Sequence, residues 1–267
     1  MKRHLVLTSG RSGSNHLVAA LNHQRELCNY GEVLGSWTLP AKLWSPMTRL
    51  GASNSSLLDV IYSSSAVYYA AQSLSYVRRK ARKEVTHFRQ RGALKSLGVK
   101  EFFIHLRDED VLSWFVSCEE LSIVHLCRED LLGRALSVLR LKESGRAVTR
   151  VGEGQGRALH VDPIQLLSLL DDLEVEAREE EEILQRLSHH RRLSLIYERD
   201  LASDEAMSST LERTCEFLGV KSVGLPETGH RSAVSGKAIE AVENRAEVER
   251  AIQGSAHAAS LALHQSS

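Results

Sequence analysis

Apolar residues in this chain follow two alternating rhythms. Short apolar runs closed by polar turns predict buried strands near residues 4–8, 101–106, 122–127 and 193–197. Apolar positions at helical spacing predict helices over 15–23, 56–91, 130–143, 163–187 and 208–218. Strands and helices in alternation predict an α/β fold whose mainly parallel sheet is flanked by helices. Residues 36–97 have few strand signals and a helical tone, broken by Pro40, Pro46, Gly51 and serine-rich turns. They read as a largely helical insertion in a single domain of 1–267, and as the expected place for substrate recognition.

The first predicted strand runs into the richest turn in the chain. Leu5, Val6 and Leu7 give way to Ser9, Gly10, Arg11, Ser12, Gly13, Ser14 and Asn15, and an apolar helix pattern follows at once. A strand, a tight Gly/Ser loop and a helix N-terminus together hold a phosphate or sulfate with backbone N–H groups. The loop lacks GxxxxGK[ST], the usual nucleotide-triphosphate cradle, and carries Arg11 instead. The same arrangement also occurs as a plain connection.

A second segment bears on the choice. Ile123 to Leu126 form a short strand, Arg128 stands where it ends, and Asp130 caps the helix that follows. In an open parallel sheet ligands bind outside the C-terminal strand ends, so Arg128 belongs in the crevice of the first loop. Ser137, two turns into the helix, can face the same anion. A guanidinium pairs bidentately with phosphate and a hydroxyl adds a donor.

Together these segments resemble the sulfotransferase superfamily that uses 3′-phosphoadenosine 5′-phosphosulfate (PAPS). RSGSNHL at 11–17 is similar to its 5′-phosphosulfate loop, with Arg11 where many members have lysine. Arg128 and Ser137 match its 3′-phosphate pair, and HLCREDLLGRALSVLRLKESG looks most like the bacterial glycan and glycolipid branch typified by trehalose sulfotransferases. LSLIYERDLASD and TLERTCEFLGV resemble the family's "YEDL…FLG" strand and helix, so the likeness runs from about residue 3 to 220. It implies a P-loop-like three-layer fold, PAPS as donor, 3′,5′-adenosine bisphosphate (PAP) as product, no metal, and an acceptor hydroxyl on a small molecule or glycolipid.

It also implies roles. Arg11 steadies charge on the bridging and sulfuryl oxygens, and the N–H groups of Ser12, Gly13, Ser14 and Asn15 cradle the 5′-phosphate. Glu32, in CNYGEVL, matches the branch's base glutamate, and His105 is its competitor, since cytosolic members use a histidine near a comparable strand. Basic residues of a C-terminal loop often close over the 3′-phosphate, which makes Arg231 and Lys237 candidates. FFIHLRDEDVLSWF at 102–115 imitates SIVHLCREDLLGRA at 122–135, but only the second has the downstream serine in the family's ALS setting, so Arg107 reads as structural.

Composition narrows the classes. Thirty-four basic against 34 acidic residues give zero net charge, which points away from a general nucleic-acid binder. No run approaches the roughly 20 apolar residues of a membrane span, and the fold begins too early for a signal peptide, so a cytoplasmic location is expected. Cys28, Cys118, Cys127 and Cys215 lack CxxC spacing and read as reduced thiols rather than a metal site or disulfide framework. The charge runs at 78–91 and 174–182 read as solvated helix faces. Two other classes stay open: a P-loop-like kinase, and a non-catalytic nucleotide-binding protein. A homodimer also stays open, since an apolar helix face can meet the core or a second subunit.

Overall fold

The structure, a computed structural model, describes residues 1–81, 87–144, 158–226 and 238–266. In the first part of the chain β1 (Lys2–Thr8), α1 (Ser14–Leu21) and β2 (Leu27–Asn29) precede three helices, α2 (Leu39–Thr48), α3 (Asn54–Ser63) and α4 (Ser65–Ala81). Next come β3 (Ser96–Phe102), α5 (Glu109–Ser117), β4 (Leu121–Cys127), α6 (Leu131–Ser144) and α7 (Pro163–Arg186). The chain continues through β5 (Arg191–Ile196), α8 (Tyr197–Asp200), α9 (Asp204–Leu218), α10 (Arg245–Gln253) and α11 (Ala258–Ser266).

Among the described residues five strands form one parallel sheet, in the order β2-β3-β1-β4-β5. β1 is central, and its last five residues are buried on both faces, which is why Leu5, Val6 and Leu7 form an unbroken apolar run. Leu5, Leu7, Val99 and Ile123 pack on one face with Leu58 of α3, Phe115 of α5 and Leu184 of α7. Val6, Val124 and Leu195 pack on the other with Leu17 and Leu21 of α1 and Leu211 of α9. A third apolar cluster, away from the sheet, joins α6 and the start of α7 to α10 and α11. This is the expected mainly parallel α/β fold.

Several boundaries differ from expectation, each for a physical reason. The strand expected at 101–106 is β3 at 96–102, and Phe103 to Arg107 form a 3-10 turn whose Phe103 and Leu106 are buried. β3 carries Lys100 and Glu101 just before its last residue, both buried, and such charges disguise a strand whose partners lie elsewhere in the chain. β2 has only three residues and was not anticipated. The helix expected over 56–91 is split at Ser64, which adopts extended backbone, ends α3 and accepts the Val67 N–H at the start of α4. Serine hydroxyls compete for backbone groups in this way and break helices. Near the end of the sequence Ala258–Ser266 form a helix, α11.

The acidic run on α7 is not wholly solvated, since Glu180 is buried and Glu176 is ion-paired to Arg134. The four cysteine thiols are free. None of the described helices is long and apolar enough to cross a membrane. α2 buries none of its residues and leaves Leu43 and Met47 exposed beside Trp37.

Candidate active site

The carboxyl ends of the five strands meet along one edge of the sheet, and every described candidate residue lies there. β1 ends in Thr8, whose hydroxyl donates to the Leu126 carbonyl of β4 (2.8 Å) and contacts the Ser12 hydroxyl. Ser12 is fully buried and its hydroxyl donates to the Ser9 carbonyl (2.9 Å), so that side chain shapes the loop from within. The turn needs left-handed backbone at Arg11 (φ 67°) and Gly13 (φ 76°). α1 then starts at Ser14 with no side-chain cap. The Ser14 and Asn15 N–H groups point out of the helix end, whereas those of His16 and Leu17 turn back to the Gly13 carbonyl (2.9 and 3.3 Å).

Gly13 is fixed twice over. A Cβ there would stand 2.7 Å from the Tyr197 ring, and the positive φ disfavours any side chain. Gly13→Ala is therefore expected to cost about 2–5 kcal/mol, from left-handed backbone and overpacking together. Urea unfolding checks this. Adding Tyr197→Ala should return only the packing share, and full recovery would show that the backbone conformation costs nothing.

Arg11, Arg128 and Ser137 converge as expected. Arg11 Nε donates to Ser137 Oγ (2.9 Å), and Arg128 donates to the Arg11 carbonyl (3.1 Å). Because Ser137 accepts from Arg11, its own O–H can be donated elsewhere. The two guanidiniums repel, and burial followed by Arg128 holds the Arg11 pKa below its ordinary value. An anion between them would relieve both costs.

Arg128 is heavily braced. Its Nε lies 3.3 Å from Glu198, an ion pair whose angle is not that of a hydrogen bond, and its guanidinium sits 4.8 Å over the Tyr197 ring. Glu198 also accepts the N–H groups of Glu129 and Asp130 (3.1 and 3.2 Å), so it shapes the turn after β4. Asp130 caps α6 through Gly133 N–H (2.7 Å) and binds His264 of α11 (2.6 Å). Burial works against the Asp130 carboxylate, but His264, the Gly133 N–H and Arg128 outweigh it and hold its pKa below the usual range. Gly133 is also a position of close approach, since a Cβ would meet Asp130 at 2.0 Å and Arg128 at 2.7 Å.

Two further residues brace the first loop. Arg134 donates to the Gly10 carbonyl (2.9 Å) and to Glu176 (2.8 Å). Glu180 lies under the loop, bonded to the Ser9 side chain, and burial raises its pKa to about 7. A carboxyl with a raised folded pKa favours folding below its unfolded value near 4.5, and that contribution is lost as pH rises through 7. Relative to wild type, Glu180→Gln should therefore gain about 3 kcal/mol of stability between pH 4.5 and pH 8. Urea midpoints at the two pH values test this, and a constant gap would rule it out.

Glu32 and His105 meet in a second cluster, at the ends of β2 and β3. Glu32 is ion-paired to Lys100, which is almost fully buried, and accepts the Trp37 indole N–H (2.8 Å). Burial lowers the Lys100 pKa and the Glu32 pair opposes that fall. Lys100 pairs in register with Val6, so it shares the sheet face that carries α1. Glu101, on the opposite face, accepts the Val33 and Leu34 N–H groups (2.6 and 3.0 Å) through one oxygen and His105 Nδ1 (2.6 Å) through the other. An ionised carboxylate only accepts, so Nδ1 carries the proton and the lone pair of the neutral ring sits on Nε2. Trp37 covers both candidates, its ring centroid 5.5 Å from that of His105.

Arg107 pairs with Glu179 on the surface, in keeping with a structural role. Arg231 and Lys237 lie outside the described residues. Glu198, Arg134, Lys100, Glu101 and Trp37 were not anticipated. Only Glu198 had a legible signal, in the YERD stretch after β5. Among the described residues no group of three or more His, Cys, Asp or Glu is placed to hold a metal ion.

No family model and no curated protein matches the sequence. The fold is similar to a solved sulfotransferase from Alicyclobacillus acidocaldarius, at 12% identity over 95% of each chain with a TM-score of 0.48. It is similar to the sulfotransferase domain of the Synechococcus PCC 7002 olefin synthase, at 16% identity, covering 87% of this chain and 79% of that one, with a TM-score of 0.43. A third is the sulfotransferase domain from the curacin biosynthetic pathway, at 14% identity, covering 97% and 82%, with a TM-score of 0.40.

Proposed function

We propose that this protein is a PAPS-dependent sulfotransferase acting on an acceptor hydroxyl of a carbohydrate or glycolipid. The observation that carries the reading is the convergence of Arg11, Arg128 and Ser137 beside an α1 N-terminus that no side chain caps. A donor with phosphate groups at both its 5′ and 3′ positions has two anionic ends. The helix N-terminus and Arg11 suit the phosphosulfate end, while Arg128 and the Ser137 hydroxyl suit the 3′-phosphate. The carbohydrate acceptor rests on the family resemblance of the 125–145 segment alone.

In this reading the acceptor oxygen forms a bond to sulfur as the bond from sulfur to the bridging phosphate oxygen breaks, and PAP leaves. The helix N-terminus and Arg11 stabilise the charge that develops on the leaving oxygen. The acceptor proton goes to His105 Nε2, with Glu101 fixing the tautomer and stabilising the imidazolium. Both oxygens of Glu32 are already engaged, by Lys100 and Trp37, which ranks it below His105 as base. Positioning and charge stabilisation supply most of the rate.

A thermal-shift titration with PAP, ADP and ATP–Mg²⁺ tests the donor. A ligand that binds only the native state raises its stability, by about 2.7 kcal/mol at one hundred times Kd. PAP is expected to give the largest shift. Stabilisation by ATP–Mg²⁺ and not by PAP would replace this reading with a kinase, and no shift with any would sink the nucleotide site.

A further inference from the structure

The basic run near residue 80 was expected to be the solvated side of a helix, yet part of it lines a cavity. The cavity, about 110 Å³, lies between α4, the end of β2 and residues 87–89. A cavity of about 150 Å³ holds benzene, so this one has room for a tetrahedral anion. Tyr30, Gln72, Tyr76, Arg79, His87 and Arg89 contribute to its wall, and among the described lining residues none is a carboxylate.

Two polar atoms of this wall are buried and have no hydrogen-bond partner among the described residues, Tyr30 Oη and Arg89 Nε. Such atoms are costly unless something binds them. Burial raises the Tyr30 pKa, with Cys28 and Tyr68 adding to the rise, so the phenol remains a donor. Arg89 spends another nitrogen on the Asn22 carbonyl. The local field is one-sided. His23 has its pKa lowered first by burial and then by His87, Arg89, Arg79 and Arg25, every one of them basic.

We propose that this cavity is a second anion site, which binds a dianionic phosphate monoester. Two guanidiniums, a phenol and an imidazole offer more donors than a carboxylate has oxygens, and their combined charge favours a dianion over a monoanion. The site flanks β2, at the edge of the sheet, two strands from the β1 loop. It therefore stands whether or not that loop binds a nucleotide.

The test is isothermal titration of glycerol 3-phosphate, methyl sulfate and glycerol at pH 8 into two proteins, the wild type and Arg128→Ala. The second lacks the arginine assigned to the 3′-phosphate but keeps Arg11 and the α1 N-terminus, so it is the cavity substitutions below that distinguish binding here from binding at the first loop. Glycerol 3-phosphate is expected to bind both proteins, glycerol neither, and methyl sulfate at least tenfold more weakly. Arg79→Gln and Tyr30→Phe should each weaken glycerol 3-phosphate about tenfold in both backgrounds. Arg79 is partly exposed in the last turn of α4, so its variant should keep the wild-type unfolding midpoint. Binding unchanged by both substitutions, or abolished by Arg128→Ala alone, would overturn the proposal. Equal binding of methyl sulfate would overturn the choice of a dianion.

Discussion

The His105→Gln variant is expected to lose about 10²–10⁴ in kcat with PAPS as donor while its affinity for PAP stays within about twofold. Glutamine keeps a hydrogen-bonding side chain beside Glu101 but offers no nitrogen able to take a proton from the acceptor. The Glu101 carboxylate stays anchored by the Val33 and Leu34 N–H groups, so the loop after β2 should hold its shape. Glu32→Gln is the comparison. It leaves the Lys100 ammonium buried against an uncharged partner, and lower stability is expected before lower chemistry. Single-turnover rates with both variants separate the alternatives. If His105→Gln turns over within tenfold of wild type and Glu32→Gln does not, the base is Glu32.

The second large effect belongs to Arg128. Arg128→Ala removes a charge-assisted contact worth about 2–5 kcal/mol when buried, so PAP affinity should fall about 30-fold or more. Binding of adenosine 5′-phosphosulfate, which lacks the 3′-phosphate, should change less than about fivefold. The variant also leaves Glu198 without this cation and Asp130 with His264 alone, and is expected to unfold at lower denaturant. Arg128→Lys keeps a charge but loses the fork, and its PAP affinity should lie between the two. Equal losses for the two nucleotides would detach Arg128 from the 3′-phosphate and make it a brace for the loop alone.

Local patterns were legible in the sequence, and long-range partners were not. β1, its Gly/Ser loop and α1 could be read because Leu5 to Leu7 are buried on both faces and the turn needs residues that tolerate positive φ. The pairing of Arg128 with Ser137 and Arg11 was readable because strand ends in a parallel sheet share one edge. β3 was misplaced because Lys100 and Glu101 look like a loop until Glu32, 68 residues away, and the N–H groups of Val33 and Leu34 are found opposite them. Asp130 was legible as a cap, but its second partner, His264, is 134 residues downstream. Glu180 was hidden in a run of four glutamates that differ only in which side of α7 they occupy.

The strand order has a consequence for how the chain is made. β1 is made well before its neighbours in the sheet, β3 and β4, whose residues begin at 96 and 121. At about 5–20 residues per second, the ribosome leaves its apolar segment without a sheet partner for roughly 5–20 s. Nascent chains should therefore be protease-sensitive at β1 until β3 has cleared the exit tunnel. Truncations ending before residue 96 should recruit chaperones or aggregate rather than fold.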